Sequence, residues 1–161
     1  MKPITTLLIL LLSMNPDPIL AEDSGWDQIT ETYDGNMEIT VYRDPGCGCC
    51  SAWIKHLERH HFRVIDIKSG EMAAIKQRYK VPEGLSSCHT AVIDGYVFEG
   101  HVPADDIKRV LKERPEITGL AVPGMPTGTP GMEQGGRKDP FAVIQFDESG
   151  NPDTFHEYWD Y

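Results

Sequence analysis

The chain has little cysteine, little positive charge and no long apolar stretch. Lys and Arg number 15 against 25 Asp and Glu, leaving a formal net charge of -10. That balance argues against a nucleic-acid partner, which needs a basic face to replace phosphate counterions. It is compatible with soluble cation handling. The apolar run from Ile4 to Leu12 is too short to cross a bilayer, which takes about 20 residues of helix. No cysteine follows that run closely, so nothing signals a lipid anchor, and there is no internal repeat. Cysteine occurs four times in 161 residues, and three of the four fall within four positions, in "DPGCGCCSAW".

The opening "MKPITTLLILLLSMNPDPILA" reads as a cleaved signal peptide: one Lys, a short apolar run, a Pro-containing stretch and a small residue at Ala21. Cleavage after Ala21 leaves about 140 residues, enough for one domain with a modest core. Export, with no membrane insertion after cleavage, puts the cysteines in an oxidising compartment, where an unoccupied dithiol tends to become a disulfide.

The expected organisation is a leader over 1–21, an N-terminal extension over 22–36, a core over 37–115 and, over 116–161, a Gly/Pro-rich loop and terminal hairpin of the same domain. "MEITVYR" is a β-rich run ending at Asp44, Pro45 and Gly46, and Trp53, Ile54, Leu57 and His61 then recur at helical intervals. "FRVIDI" reads as a second strand and "EMAAIKQRY" as a second helix. "HTAVIDGYVFEG" reads as a hairpin around Asp94-Gly95, and "PADDIKRVLKERP" as a helix with Pro103 in its first turn. The succession strand, helix, strand, helix, strand, strand, helix predicts an α/β, thioredoxin-like fold. From Gly119 to Pro140 the chain is too rich in Gly and Pro for a helix or a long strand, and is either a functional cover or mobile. "FAVIQF" and "PDTFHEYW" suggest a C-terminal β-hairpin, and the acidic residues of this tail read as a solvated terminus.

Cys49 and Cys50 are neighbours whose Cα atoms stand about 3.8 Å apart, below the roughly 4.4 Å that an ordinary disulfide requires. Cys47 and Cys50 have the C-x-x-C spacing that a helix N-terminus can bring within bridging distance, which suits a redox dithiol or a metal-thiolate site. In the predicted topology the third strand starts beside this motif. His89 takes the place where such folds commonly carry a proline, with Cys88 just before it, so four sulfurs should converge. The hairpin returns His101 to the same end. His89 and His101 are candidate metal ligands, proton carriers or hydrogen-bond donors, or histidines that satisfy local backbone groups.

Four thiolates around one Zn(II) leave a net charge of about -2, and structural zinc sites ordinarily come as two separated knuckles. Up to four Cu(I) ions would neutralise the same four thiolates, and adjacent sulfurs suit bridging between soft ions. Met125 and Met132 add neutral soft donors on the Gly/Pro-rich loop, or simply anchor that loop on an apolar surface. His56 and His60 share an i, i+4 helix face flanked by Lys55, Glu58 and Arg59, and read as solvated surface; Trp53 and Leu57 read as core.

The segments "YRDPGCGCCSAWIKHL", "VPEGLSSCHTAVIDGYVFEGHVPADDIKRVLKERP" and "GLAVPGMPTGTPGME" together resemble the CopG copper-resistance proteins of bacteria, a thioredoxin-like family with a CxCC motif. The resemblance runs from about Met37 to the C-terminus. It implies a periplasmic protein induced by copper stress that binds Cu(I), several ions per chain, in a thiolate-bridged cluster. The implied ligands are Cys47, Cys49, Cys50 and Cys88. It further implies copper oxidoreductase activity or transfer of copper to other resistance proteins. The alternatives that the residues leave open are an exported thiol-disulfide oxidoreductase using Cys47 and Cys50, and a copper chaperone without redox turnover.

Overall fold

A computed structural model describes residues 25–161, so the leader assigned to 1–21 lies outside the described residues. The elements run β1 (Glu38–Arg43), α1 (Gly48–Arg59), β2 (Arg63–Lys68), α2 (Met72–Arg78), a 3-10 turn (Glu83–Leu85), β3 (His89–Ile93), β4 (Tyr96–Glu99), α3 (Ala104–Glu113), β5 (Gly119–Ala121), β6 (Phe141–Phe146) and β7 (Pro152–Tyr158). Seven strands form one sheet in the order β2-β1-β3-β4-β5-β6-β7. β1 pairs parallel with β2 and antiparallel with β3. Together with the three helices this is the α/β, thioredoxin-like arrangement that the order of the segments predicts.

Period-two patterning sets the register. Along β1, Ile39, Val41 and Arg43 are buried while the residues between them are half-buried, which fixes the face turned to the main core. Trp53 and Leu57 of α1, both fully buried, meet that face together with Ile107 and Val110 of α3. A smaller cluster of Val97, Ala121 and Phe146, packed against Tyr79, Val81 and Leu85, forms apart from it. The β3–β4 turn is the Asp94-Gly95 pair with φ of 49° and 87°, the left-handed conformation that a two-residue hairpin requires.

The terminal hairpin joins the sheet through β5, which pairs parallel with β4 and antiparallel with β6. Pro103 stands one place earlier than expected, as the N-cap of α3 rather than inside its first turn, since its ψ of 140° is extended. The larger correction concerns His56 and His60. Rather than facing solvent, both are buried, at 1% and 2% exposure. His56 Nε2 accepts from the backbone N–H of Ala104 at 3.0 Å, and His60 Nε2 meets the Trp26 carbonyl at 2.6 Å. The charged neighbours that suggested solvent, Lys55, Glu58 and Arg59, are themselves exposed. The N-terminal extension covers the histidine side.

Candidate metal centre

The cysteine motif begins where β1 ends. The Asp44 carboxylate accepts from Gly46 N–H at 2.8 Å and its carbonyl accepts from Cys47 N–H at 3.1 Å, turning the chain into α1. Cys47 is the N-cap: its Sγ accepts from Cys50 N–H at 3.3 Å. A sulfur in that position sits against the positive end of the helix, which favours the thiolate whenever Cys47 is reduced. Buried Arg43 fastens the strand end by a two-pronged pair with Asp66, at 2.8 and 2.7 Å, and reaches the Cys47 carbonyl at 3.4 Å. No spacing signal marked Arg43, because its partner comes from a neighbouring strand.

Cys47 and Cys50 are joined as a disulfide with Cα atoms 5.4 Å apart, while Cys49 and Cys88 carry free thiols. Cys49 Sγ lies 3.5 Å from Cys47 Sγ, and all four sulfurs fall within 4.8 Å of one another. The convergence predicted from topology is therefore present. Cys50 is fully buried; the other three are partly exposed.

His89 and His101 flank Cys88, with His89 Nδ1 and His101 Nε2 at 3.1 and 3.2 Å from its sulfur, and the three residues form a second potential donor group. The other nitrogen of His101, Nδ1, faces the Pro130 carbonyl at 2.7 Å. A carbonyl only accepts, so Nδ1 carries the proton and Nε2 turns its lone pair to Cys88. Burial pushes His101 below its ordinary range against the opposing pull of that carbonyl, and burial with the neighbouring His101 pushes His89 well below. Burial, reinforced by Cys49, pushes the Cys88 thiol up to about 12. Metal-free Cys88 is thus a protonated thiol beside two neutral imidazoles.

The loop that carries Cys88 is tied down by Glu99, which is fully buried. Its carboxylate accepts from Ser87 N–H at 2.6 Å and Thr90 Oγ1 at 2.7 Å, and pairs with Lys76 from α2. The Gly/Pro-rich segment is a packed cover in its later part. Thr129 is fully buried, and Gly131 lies so close to the start of α1 that a Cβ there would stand 2.5 Å from Trp53 N. Met125 is 55% exposed and Met132 half-buried on the same segment.

Fold and site define a class: an α/β protein of thioredoxin-like design with a metal-binding cysteine group at the entry to its first helix. A family described as "Protein of unknown function, DUF411" matches residues 85–132. Two solved structures match with a TM-score of 0.73 and 50% identity, over 77% of this chain. They are described as "Copper resistance protein copG- Form 1" and "Copper resistance protein copG- Form 2", matched over 98% and 99% of their own chains. No curated protein matches the chain. At that identity and coverage the chain belongs to the CopG copper-resistance family, and its cysteine group fits copper binding.

Proposed function

We propose that this chain is a periplasmic copper-binding protein of copper resistance that holds several Cu(I) ions in a thiolate-bridged cluster made by Cys47, Cys49, Cys50 and Cys88. The observation carrying this reading is the meeting of four sulfurs within 4.8 Å of one another at a helix N-terminus. Four thiolates require about four monovalent charges for neutrality, and Cu(I) is soft, monovalent and thiolate-seeking. His101 Nε2, held towards Cys88, and His89 serve as adjoining donors, with Met125 and Met132 as soft donors on the covering loop. Loading displaces the Cys88 proton, so copper uptake releases protons to solution.

The Cys47–Cys50 bridge supports an added oxidoreductase role. Each reduced pair supplies two electrons: two Cu(II) ions become two Cu(I), one disulfide forms and two protons leave. A dithiol reductant of the same compartment restores the pair by thiol-disulfide exchange. The same bridge favours a second reading, a thiol-disulfide oxidoreductase in which Cys49 is dispensable.

Anaerobic titration of the reduced protein with Cu(I) in competition with Zn(II) separates the two. The expected result is several copper ions per chain with zinc excluded, and Cys88→Ser lowering the ratio as strongly as Cys47→Ser. Full loading by the Cys88→Ser variant, or one bound zinc, would overturn the cluster.

A further inference from the structure

We propose that Trp26 is a positioning residue of the cysteine site, and that residues 25–36 form a strap fixing the covering loop in register with it. The inference concerns a segment that precedes the family resemblance, and it stands whether or not the proposed copper chemistry holds. The strap sequence is polar and weakly patterned, yet it is fastened at both ends of its path, at the far end by Asn36 Nδ2–H donating to the Asp94 carboxylate at 2.9 Å. Thr30 N–H donates to the Asp105 carboxylate at 2.8 Å, Arg59 pairs with Asp27, and Lys108 reaches the Glu31 carbonyl at 3.1 Å. Trp26 and Tyr33 are its large aromatic anchors into the interior, and Trp26 is the one that meets the terminal hairpin and the covering loop. The ring lies 5.0 Å from that of Tyr161 and 5.3 Å from that of Tyr158, centroid to centroid, and its Nε1–H donates to the Gly128 carbonyl at 2.7 Å.

Gly128 opens a short closed turn. Its N–H donates to the Met132 carbonyl at 2.9 Å and Met132 N–H donates to the Thr129 carbonyl at 2.8 Å, so residues 128–132 move together. Within that turn sit the two groups that touch the site. Pro130 presents its carbonyl to His101 Nδ1 at 2.7 Å, and Gly131 lies against the backbone of α1 next to the Cys49 carbonyl. One indole hydrogen bond thus connects the strap to the imidazole that faces Cys88. An indole N–H taken from water ordinarily finds a partner; here the half-buried Trp26 finds it in the backbone of the loop that orients His101.

Native-state hydrogen exchange followed by NMR tests the connection on the reduced, metal-free protein. If one opening exposes both groups, Trp26 Nε1–H and His101 Nδ1–H show the same protection and the same response to low urea. Trp26→Phe, which keeps the aromatic contacts and deletes the donor, should speed exchange at His101 about tenfold, the worth of one hydrogen bond. Its thermal midpoint should fall by no more than the few degrees that one hydrogen bond is worth. Trp26→Ala serves as the packing control. The proposal is overturned if Trp26 Nε1–H exchanges freely while His101 Nδ1–H stays protected. It is also overturned if His101 exchange in Trp26→Phe equals wild type, or changes only in Trp26→Ala in proportion to lost global stability.

Discussion

At the scale of the residue, His56 shows how a histidine can serve stability only in its neutral form. Its Nε2 accepts from Ala104 N–H at the open end of α3, so the ring must keep that nitrogen unprotonated. Burial, with the nearby His60 and Arg59, pushes its pKa well below the ordinary value. The unfolded chain takes up this proton near pH 6.5, whereas the folded protein refuses it until much lower pH. Above about pH 6.5 both states are unprotonated and the group is neutral in the balance. Below it, each proton bound only by the unfolded chain costs up to about 1.4 kcal/mol per pH unit. His56→Gln keeps an acceptor without a titrating ring, so its stability should fall less steeply than that of the wild type between pH 7 and pH 5. Urea unfolding of the two proteins across that range measures the slopes; identical slopes would remove His56 from the acid response.

At the scale of the element, β5 is the joint on which the C-terminal hairpin hangs, and it is only three residues long, Gly119–Ala121. Gly119 lies so close to the Val97 carbonyl of β4 that an added Cβ would collide with backbone. Gly119→Ala should therefore cost roughly 1–3 kcal/mol, the scale of a strained backbone site, and loosen the β4–β5 pairing first. Faster amide exchange in β5 and β6 than in β1 and β3 would verify this. This joint was illegible in the sequence because so short a strand has no period to read, and the Gly-rich composition spoke for a loop. The β1 to α3 succession was legible because alternation, helical spacing, Asp94-Gly95 and the prolines all pointed the same way. So was the meeting of Cys88 with the CxCC segment, since topology alone brings those strand ends together. Arg43, Glu99 and Trp26 escaped notice for a common reason. Each works through a partner on another element, and no spacing along the chain encodes such a pairing. The burial of His56 and His60 was hidden by their exposed charged neighbours, and the extension that covers them carries no periodicity to announce it.

At the scale of the whole molecule, the thioredoxin-like core and the terminal hairpin share one continuous sheet, and the strap joins them in one main cluster. Leu120, Val122 and Val143, contributed from beyond α3, are fully buried with Ile39, Phe98 and Ile107 of the core. The strap enters the same cluster through Trp26 and Tyr33. Removing residues 116–161 would uncover these side chains and leave β4 as an open edge, a hazard for edge-to-edge association. The three parts should therefore unfold as one cooperative unit, in the way small single domains do. Trp26 reports the strap and Trp53 the core, so in each single-tryptophan variant retaining one or the other the fluorescence midpoint in urea should coincide with that same variant's far-UV circular dichroism midpoint. An earlier transition at Trp26 alone would mean that the strap detaches while the core stands. The cover over the cysteines would then be a separately opening part, and its hold on His101 would be lost before the fold itself.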